Sequence, residues 1–394
     1  MSNESIPCPA CAQGDLDVFY EVDGIPAHST LLLDSREVAL AYPRGEMRLG
    51  FCRACGFMAN TAFDISLNNY STMCEETQGY SPYFARWIQN LAQEYVDRYD
   101  LRGVDIAEIG CGKGEFLALV CAAGENRGLG IDPSYVEGRV ELPDRDRLTF
   151  VNELYTPEYG ELPVDVIACR HTLEHIGPVG AFVAAVRASI ADGREPLVYF
   201  ELPETLRVLR EQAFWDIDYE HCSYFTPGSL ARLFRAQGFD PIDLRLDYGD
   251  QYVLIDARPG AGDSPTLEHE RDLEATAALV EEFRIAVPKR IAELRGLVTT
   301  AHRAGRRVVI WGGGSKGVAF LTTLGITDEI EFAVDIDPNK QGMYMAATGH
   351  EVIGPEQLRD YRPDLVIPMN AIYRDEIAAQ LHEVGLAPEL VTID

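Results

Sequence analysis

The sequence predicts an α/β protein with a central parallel sheet, a small cysteine-bearing module before it and a shorter α/β unit after it. Two stretches carry most of this prediction: residues 105–116 and 308–318 each read as a short apolar strand that ends in glycines and runs directly into a helix. Two C-x-x-C pairs near the N-terminus indicate a separate metal-binding module. A chain of 394 residues is too long for one ordinary core, so two or three domains are expected.

The composition is that of a globular protein that works in water. A formal net charge of −29 argues against nucleic acid as a partner, because nucleic-acid binding depends on Lys and Arg that neutralise phosphates. No apolar run is long enough to span a bilayer, and residues 1–5 do not begin a secretory signal, so we expect a cytoplasmic protein without a membrane partner. In such a chain, nine cysteines are not expected to form a disulfide framework, and their spacing decides their role.

Four of these cysteines are spaced as metal ligands. Cys8 and Cys11 form one C-x-x-C knuckle, and Cys52 and Cys55 form the other. Together they predict a Cys₄ zinc site in a β-rich module that spans residues 1–70. A redox-active pair is the alternative, but two pairs that bracket strand-like sequence favour a metal. Four thiolates leave no open position for a substrate, so we expect the zinc to be structural.

A helix is predicted between the cysteine module and the first glycine turn. It begins at Pro82, after an aperiodic stretch, and extends to about Tyr99. Tyr80 and Tyr83 lie at its start, where they either close over a bound cofactor or pack the helix. We expect the central domain to span residues 71–258.

The first glycine turn contains Gly110, Gly112 and Gly114 in the spacing G-x-G-x-G. Without Cβ atoms, the backbone N–H groups at the helix start can approach a nucleotide-like ligand closely. Glu108 precedes the first glycine by two residues, and Asp132 ends the next predicted strand, where an acid can accept both ribose hydroxyls. This combination predicts a site for an adenosyl group. A glycine turn in an arbitrary α/β domain is the alternative.

The pattern of a parallel sheet continues beyond this turn. The sequence predicts a helix over 116–123, a strand over 128–132, a charged stretch with scattered prolines over 144–163, a strand over 164–170, a helix over 182–190, a strand over 196–203, a helix over 226–237 and a final strand pair near 241–246 and 252–256. His171 and His175 follow the strand that ends at Arg170. In open α/β sheets, ligands bind outside the carboxyl ends of the strands, so both histidines are expected at the ligand-binding edge.

Residues 214–226, which we call the His221 loop, are dense in titratable and aromatic side chains. They show no helical or strand period that would explain these side chains as core. Loops over the carboxyl edge of a sheet are where bases and substrate contacts usually lie. His221 is the natural general base of this loop, because histidine ordinarily titrates near neutral pH. A buried histidine bonded to the backbone is the alternative.

A connecting segment separates the central domain from the C-terminal unit. Residues 257–265 form the clearest linker in the chain. A long helical stretch over residues 267–304 follows, and we expect Pro288 to interrupt it. The linker and its helical connection are therefore assigned to residues 259–305.

The second glycine turn opens the C-terminal unit, residues 306–394. It reads G-x-G-x-x-G, and an acid follows the next strand, which alone would suggest a nicotinamide cofactor. The unit is short, however, and no group of residues suited to hydride transfer accompanies it. Lys316, beside glycines that include Gly314, either holds a phosphate or belongs to a turn that only packs its helix.

In this order, these features resemble those of the three-domain C-methyltransferases that act on nucleotide-linked deoxysugars, and the likeness covers nearly the whole chain. In that family, an N-terminal zinc module precedes a class I methyltransferase domain with a Rossmann-like sheet and a C-terminal Rossmann-like domain. Its substrates are nucleotide-linked keto sugars, which are methylated on the carbon beside the ketone. The resemblance implies an enzyme with S-adenosylmethionine as cofactor, a structural zinc ion and a nucleotide-linked sugar as its small-molecule partner.

The resemblance also implies roles for individual residues. It implies that S-adenosylmethionine lies on Gly110, Gly112, Gly114 and Asp132, and that Glu220 and His221 line the sugar pocket. Tyr80, Glu108 and Arg170 are further expected cofactor contacts, from their places in the sequence. The expected catalytic residues are His171, His175, Tyr219, Glu220 and His221, and the expected substrate contacts are Tyr224, Gly314 and Lys316.

The expected chemistry begins with proton removal, because a carbon beside a carbonyl is a poor nucleophile until a base deprotonates it. His221 would take the proton, and the enolate would then accept the methyl group from sulfonium sulfur in line. Glu220 would orient His221 or hold a sugar hydroxyl. His171 or His175 would stabilise the enolate oxygen.

The His221 loop departs from the family pattern, which commonly reads Tyr-His-Glu-His. Asp218 stands at the tyrosine position, and Tyr219 stands at the first histidine position. Two other functions therefore stay open: an O- or N-methyltransferase of a non-nucleotide natural-product or polysaccharide metabolite, and a non-catalytic zinc-bearing scaffold. The sequence leaves the acceptor, the methylated atom and the oligomeric state open.

Overall fold

The computed structural model describes residues 6–31, 33–68, 77–139, 141–156 and 160–393. In these ranges the strands are β1 (Leu16–Pro26), β2 (Arg44–Cys52), β3 (Met58–Asn60), β4 (Asp105–Ile109), β5 (Arg127–Ile131), β6 (Leu148–Val151), β7 (Val166–Arg170), β8 (Leu197–Pro203), β9 (Ser223–Tyr224), β10 (Phe239–Asp247), β11 (Tyr252–Pro259), β12 (Val308–Trp311), β13 (Phe332–Val334), β14 (Glu351–Ile353), β15 (Leu365–Pro368) and β16 (Glu389–Leu390). The helices are α1 (Arg36–Leu40), α2 (Pro82–Tyr99), α3 (Glu115–Gly124), α4 (Val179–Ala188), α5 (Thr205–Glu211), α6 (Pro227–Ala236), α7 (Leu273–Arg303), α8 (Ser315–Leu324), α9 (Leu358–Tyr361) and α10 (Arg374–Glu383). The predicted boundary between residues 70 and 71 lies outside the described residues.

The central sheet has the strand order β10-β11-β8-β7-β4-β5-β6. Strands β4 to β8 pair in parallel, and the β10–β11 hairpin adds an antiparallel edge. This Rossmann-like arrangement confirms the predicted fold class, with strands and hairpin within a few residues of their expected bounds. Strand β6 lies in the charged stretch for which the sequence pattern selected no element. The carboxyl ends of β4, β5 and β7 meet at one edge, where the first glycine turn and His171 lie.

Buried apolar strands and an amphipathic helix explain why this sheet forms. Residues 197–202 of β8 are all buried, as expected for a parallel strand that is covered on both faces. Helix α2 begins where Ser81 Oγ accepts a hydrogen bond from Phe84 N at 3.2 Å. Its buried side includes Ile88 and Leu91, so the helix covers one face of the sheet.

The N-terminal sheet is antiparallel, in the order β1-β2-β3-β9. Its last strand, β9, comes from the His221 loop and pairs with β3 at Met58–Tyr224 and Ala59–Ser223. The expectation that this loop lacks a strand and contributes no core is therefore wrong. Phe214 and Trp215, for example, are buried, because the loop is packed between the N-terminal sheet and the rest of the molecule.

The C-terminal sheet is entirely parallel, in the order β14-β13-β12-β15-β16. Helix α7 leads to it and is continuous through Pro288, so the predicted interruption is wrong. A proline deprives a helix of one backbone hydrogen bond, but Val280, Phe283, Val287 and Leu294 keep α7 packed on both sides of it.

One apolar cluster joins the N-terminal sheet, the His221 loop and the C-terminal unit. The ring of Phe283 in α7 packs edge-on against Phe19 and Tyr20 of β1, with centroid distances of 5.9 and 5.5 Å. Phe214 of the His221 loop stacks on Phe320 of α8 at 6.4 Å. This shared core places the His221 loop between the three sheets.

Candidate active site

The first glycine turn adopts a backbone that requires glycine. Gly110, Gly112 and Gly114 have φ values of 70°, 53° and 80°, in the left-handed region that side chains disfavour. A Cβ at Gly110 would lie 2.0 Å from Thr172 Oγ1, whereas a Cβ at Gly112 would meet nothing within 4 Å. The turn is thus packed against the end of β7 on one side and open at Gly112, where a ligand can approach the backbone.

Asp132, at the end of β5, braces this turn. Its Oδ2 accepts a hydrogen bond from Gly112 N at 2.8 Å, and its Oδ1 accepts from Ser134 N and Oγ at 2.7 and 2.6 Å. A carboxylate offers about four acceptor positions, so Oδ2 still has capacity for a hydroxyl donor. The structure therefore places the acid beside the open glycine, as a ribose contact requires.

Glu108 on β4 is buried directly before the turn, with 2% of the residue exposed. Its Oε2 has no hydrogen-bond partner in the described part of the chain. Burial raises the pKa of Glu108 to about 8. A buried polar atom without a protein partner normally binds a ligand or a water molecule, and this one fits a cofactor that brings a donor or a positive charge.

Arg170, predicted as a cofactor contact, is instead engaged within the protein. Its Nη2 and Nε lie 2.5 and 3.1 Å from the two carboxylate oxygens of Glu201, and its guanidinium covers the ring of Phe116 at 4.4 Å. Glu201 also contacts His171 and Tyr199. Burial raises the pKa of Glu201, but Arg170 and His171 hold it at about 2. Glu201 was not among the predicted site residues, although a lone glutamate in an apolar buried strand is a signal for a functional acid.

Tyr80 and Tyr83 contact the C-terminal half of the chain. Tyr80 is 45% exposed, and its hydroxyl accepts a hydrogen bond from Asn339 Nδ2 at 3.2 Å. Tyr83 packs against the rings of Tyr248 and Tyr373. The structure favours packing for Tyr83 and leaves Tyr80 accessible.

His171 lies between two carboxylates at the end of β7. Its Nε2 is 3.0 Å from Glu201 Oε1, its Nδ1 is 3.5 Å from Glu174 Oε1, and its backbone φ is 46°. Burial lowers the pKa of His171, but the two carboxylates raise it to about 9. The two carboxylates therefore favour the protonated form of His171, which suits a group that stabilises negative charge.

His175 and His221 face each other across the same edge, with ring centroids 5.0 Å apart. Nδ1 of His175 donates a hydrogen bond to the backbone oxygen of Glu220 at 3.0 Å. Nδ1 of His221 lies 3.4 Å from Asp218 Oδ2, and burial raises the pKa of that carboxyl. The imidazole of His221 thus has Asp218 as its acidic neighbour, whereas Glu220 was predicted to orient it.

Glu220 faces the N-terminal module. Its Oε2 lies 2.9 Å from His28 Nδ1, and its Oε1 accepts hydrogen bonds from Ser29 N and Oγ at 2.5 and 2.7 Å. Burial raises the pKa of Glu220, but His28 and Ser29 hold it at about 2. His28 carried no signal in the sequence, because only the packing of the two modules brings it to the His221 loop.

Two tyrosines that were predicted to act on substrate are instead part of the packing. Tyr219 is 1% exposed, and its hydroxyl accepts a hydrogen bond from Asp64 N at 2.7 Å. Tyr224 is 5% exposed, and its hydroxyl donates to the backbone oxygen of Asp218 at 2.9 Å. The predicted roles of Tyr219 in catalysis and of Tyr224 in substrate binding are therefore corrected. Both side chains are buried against the N-terminal sheet, where a ligand does not reach them.

The second glycine turn meets the central domain across a cavity of about 200 Å³. Lys316 lies at the start of α8 and was predicted to hold a phosphate. In the structure its ammonium group forms an ion pair with the carboxylate of Asp216. Arg207 Nη2 lies 2.8 Å from the other oxygen of Asp216. Gly314 is open, since a Cβ there would have Lys340 Nζ as its nearest neighbour at 4.0 Å. The cavity is therefore lined by Arg207 of the central domain and by Lys316 of the C-terminal unit.

The four predicted zinc ligands converge. Sγ of Cys8 lies 3.7 Å from Sγ of Cys55, and Sγ of Cys11 lies 3.8 Å from Sγ of Cys52. All four sulfur atoms lie within 4.8 Å of one another. Cys8 and Cys11 lie before β1, Cys52 ends β2, and Cys55 lies in the turn that follows β2.

Comparison with known proteins indicates which family this chain resembles. A model described as a methyltransferase domain matches residues 80–244, and one described as a C-methyltransferase C-terminal domain matches residues 263–387. The chain is also 29% identical over 351 residues to the C-methyltransferase NovU of Streptomyces niveus, which covers 83% of this chain and 80% of that protein. These matches show an S-adenosylmethionine-dependent methyltransferase and support a C-methyltransferase family for this chain.

Solved structures of methyltransferases align with part of this chain. One is the 1,6-didemethyltoxoflavin N1-methyltransferase of Burkholderia thailandensis with bound S-adenosylhomocysteine, at 20% identity over 46% of this chain and 84% of that chain, with a TM-score of 0.33. Another is the magnesium protoporphyrin IX methyltransferase of Synechocystis, at 14% identity over 45% and 84% of the two chains, with a TM-score of 0.34. At these scores the solved structures add nothing to the assignment.

Among the described residues of this chain, no helix has the length and apolarity needed to cross a membrane.

Proposed function

We propose that this methyltransferase methylates a nucleotide-linked keto sugar on the carbon beside the ketone. The observation that carries the proposal is the His221 imidazole, 3.4 Å from the Asp218 carboxylate and 5.0 Å, ring to ring, from His175 at the carboxyl edge of the sheet. An imidazole with a carboxylate neighbour is the usual form of a positioned general base.

S-adenosylmethionine is held, in this proposal, by the first glycine turn. Gly112 offers the open backbone, Asp132 accepts ribose hydroxyls, and Glu108 supplies a buried oxygen that lacks a partner. The bound cofactor supplies an electrophilic methyl group on its sulfonium sulfur. Thr172, which follows His171 and contacts Gly110, connects this turn to the histidines that act on the acceptor.

Three residues share the chemistry on the acceptor. His221 takes the proton from the carbon beside the ketone, and Asp218 stabilises the imidazolium that results. The imidazolium of His171 stabilises the enolate oxygen, in agreement with its raised pKa. In this reaction, Glu201 and Glu174 position and charge-stabilise His171.

The cavity between Lys316 and Arg207 is the proposed site of the diphosphate. Lys316 forms an ion pair with Asp216, and Arg207 forms ion pairs with Asp216 and Glu211. A diphosphate would replace these carboxylates, and the nearby Gln251 and Asn370 amides, which bond each other at 2.8 and 3.1 Å, offer donors and acceptors to a nucleoside.

Solvent exchange tests the base and the acceptor class together. With S-adenosylhomocysteine bound and nucleotide-linked keto sugars in D₂O, the wild-type protein should incorporate deuterium beside the ketone. His221→Asn should lose this exchange, whereas His302→Asn, on an exposed part of α7, should retain it. Absence of exchange and of methyl transfer with every keto sugar of the panel rejects the sugar proposal.

We also propose that Cys8, Cys11, Cys52 and Cys55 hold a structural zinc ion. A tetrahedral ion with Zn–S bonds of about 2.3 Å places sulfur atoms about 3.8 Å apart. The two sulfur pairs at 3.7 and 3.8 Å already have this spacing. Metal analysis of the purified protein should give one zinc per chain, and loss of zinc in Cys11→Ser without any change in the other cysteines checks the assignment.

A further inference from the structure

Three ligating side chains converge beside β7. Glu174, His175 and His221 each offer one ligand atom, and these atoms all lie within 4.8 Å of one another. Glu174 and His175 belong to the short 3-10 helix Leu173–His175, and His221 comes from the loop that crosses the same edge. Two imidazoles and one carboxylate are a donor set that suits divalent transition-metal ions.

Glu174 supplies an independent observation that points to a ligand. The residue is 2% exposed, and its Oε2 has no hydrogen-bond partner within the described ranges. Its Oε1 is near His171, so the two oxygens of one carboxylate face different surroundings. A buried carboxylate oxygen that lacks a donor is costly unless a cation meets it.

Both histidines are oriented as metal-binding histidines are. Nδ1 of His175 donates to the Glu220 backbone oxygen at 3.0 Å, and Nδ1 of His221 lies 3.4 Å from Asp218 Oδ2. In metal sites, the outer nitrogen of a ligating histidine almost always donates to a carbonyl or a carboxylate, which orients the ring and directs the other nitrogen to the metal. By this rule, Nε2 of each ring is the expected ligand atom.

We propose that Glu174, His175 and His221 form a binding site for a divalent transition-metal ion, separate from the four cysteines. A metal on Nε2 of His221 occupies the lone pair that proton abstraction needs. Metal at this site therefore inhibits methyl transfer, and this consequence alone rests on the proposed function. Binding itself goes beyond the proposed function and is measured without turnover.

Cobalt(II) titrated into the full-length, zinc-loaded protein tests the site. Nitrogen and oxygen ligands give visible cobalt absorption without the sulfur-to-cobalt charge-transfer band that the cysteines would add. Wild type and the matched variant His302→Ala should saturate at one additional cobalt per chain. His221→Ala and Glu174→Gln should bind more than about 100-fold more weakly, because they remove a direct ligand and outer partners alone contribute about 10- to 100-fold.

A milder variant keeps the test valid if the buried Glu174→Gln fails to fold. Asp218→Asn removes only the outer partner of His221 and should weaken cobalt binding about tenfold. Absence of cobalt absorption in wild type, or equal binding in wild type, His221→Ala and Glu174→Gln, overturns the site, as does a wild-type spectrum that consists only of the sulfur-to-cobalt band. Cobalt that binds without inhibiting turnover supports the site and contradicts the role of His221 as base.

Discussion

Nδ1 of His28 lies 2.9 Å from Oε2 of Glu220, and both side chains are buried. His28 follows β1 of the N-terminal sheet, and Glu220 directly precedes His221. The backbone oxygen of Glu220 in turn accepts the hydrogen bond from His175. The cysteine-bearing module therefore holds the loop that carries the proposed base, through this contact and through the β3–β9 pairing.

Replacement of His28 by alanine should destabilise the protein and slow turnover. Glu220 would lose one partner of a buried carboxylate, which costs about 3–5 kcal/mol when a buried pair is broken. Denaturant unfolding measures this loss, and the turnover number should fall while affinity for S-adenosylhomocysteine, measured by calorimetry, stays unchanged. His302→Ala removes an exposed histidine and should match wild type in all three measurements. Wild-type stability in His28→Ala would show that the pair does not hold the loop.

Replacement of Gly110 by alanine should abolish cofactor binding. The new Cβ would lie 2.0 Å from Thr172 Oγ1 at a φ of 70°, so the turn must shift. Calorimetric titration with S-adenosylhomocysteine measures the effect. Gly296→Ala is the matched control, because its Cβ meets nothing within 4 Å in the middle of α7, and it should stabilise the protein by about 0.5–1 kcal/mol. Undiminished binding in Gly110→Ala would remove this turn from the cofactor site.

Replacement of Asp132 by asparagine should weaken S-adenosylhomocysteine binding by about 1.5–3 kcal/mol, the scale of a hydrogen bond to a charged group. The acid braces Gly112 and is proposed to accept the ribose hydroxyls. Asp146→Asn, an exposed change in the turn before β6, should leave the affinity as in wild type. Equal affinities in the two variants would place the ribose elsewhere.

Glu108 predicts a dependence of stability on pH in the ligand-free protein. Burial raises the pKa of this carboxyl from 4.5 to about 8, so the folded chain retains a proton that the unfolded chain releases. Its contribution to the free energy of unfolding is fully present below pH 4.5 and is lost as pH rises towards 8. Thermal unfolding between these limits should show a smaller decline in Glu108→Gln than in wild type. Parallel pH profiles for the two proteins would contradict the raised pKa.

Removal of zinc should reduce turnover more than cofactor affinity. The four cysteines hold the module that supplies His28 and β3 to the His221 loop, whereas the glycine turn lies on a separate sheet. We expect chelation to lower the turnover number while S-adenosylhomocysteine affinity changes little. Readdition of zinc is the control for irreversible unfolding. Loss of cofactor affinity with an intact fold would contradict a purely structural role.

Local patterns in the sequence predicted the parts of the site that depend on short spacing. The glycine turn was recognisable because three left-handed residues within five positions require glycine, and the cysteine cluster was recognisable because each knuckle brings two thiolates together by itself. The parallel strands were recognisable because they are apolar on both faces. Pro288 was misjudged because local propensity is overridden when a helix is packed along its length.

Partners of charged and aromatic side chains could not be predicted in this way. Tyr219 and Tyr224 looked like substrate contacts until packing against the N-terminal sheet buried them. Glu220 meets His28, and Lys316 meets Asp216, across long separations in the chain.

The sequence by itself determined the fold class, the glycine turn with its two acids and the convergence of four cysteines, because backbone conformation and short ligand spacings are properties of neighbouring residues. Only the tertiary structure decided that Asp218 faces His221 and that the carboxylates of Glu201 and Glu174 flank His171 and raise its pKa. It also decided that the cysteine module supports the His221 loop. These pairings depend on how three separate sheets pack against one another, and no short stretch of the chain encodes that packing.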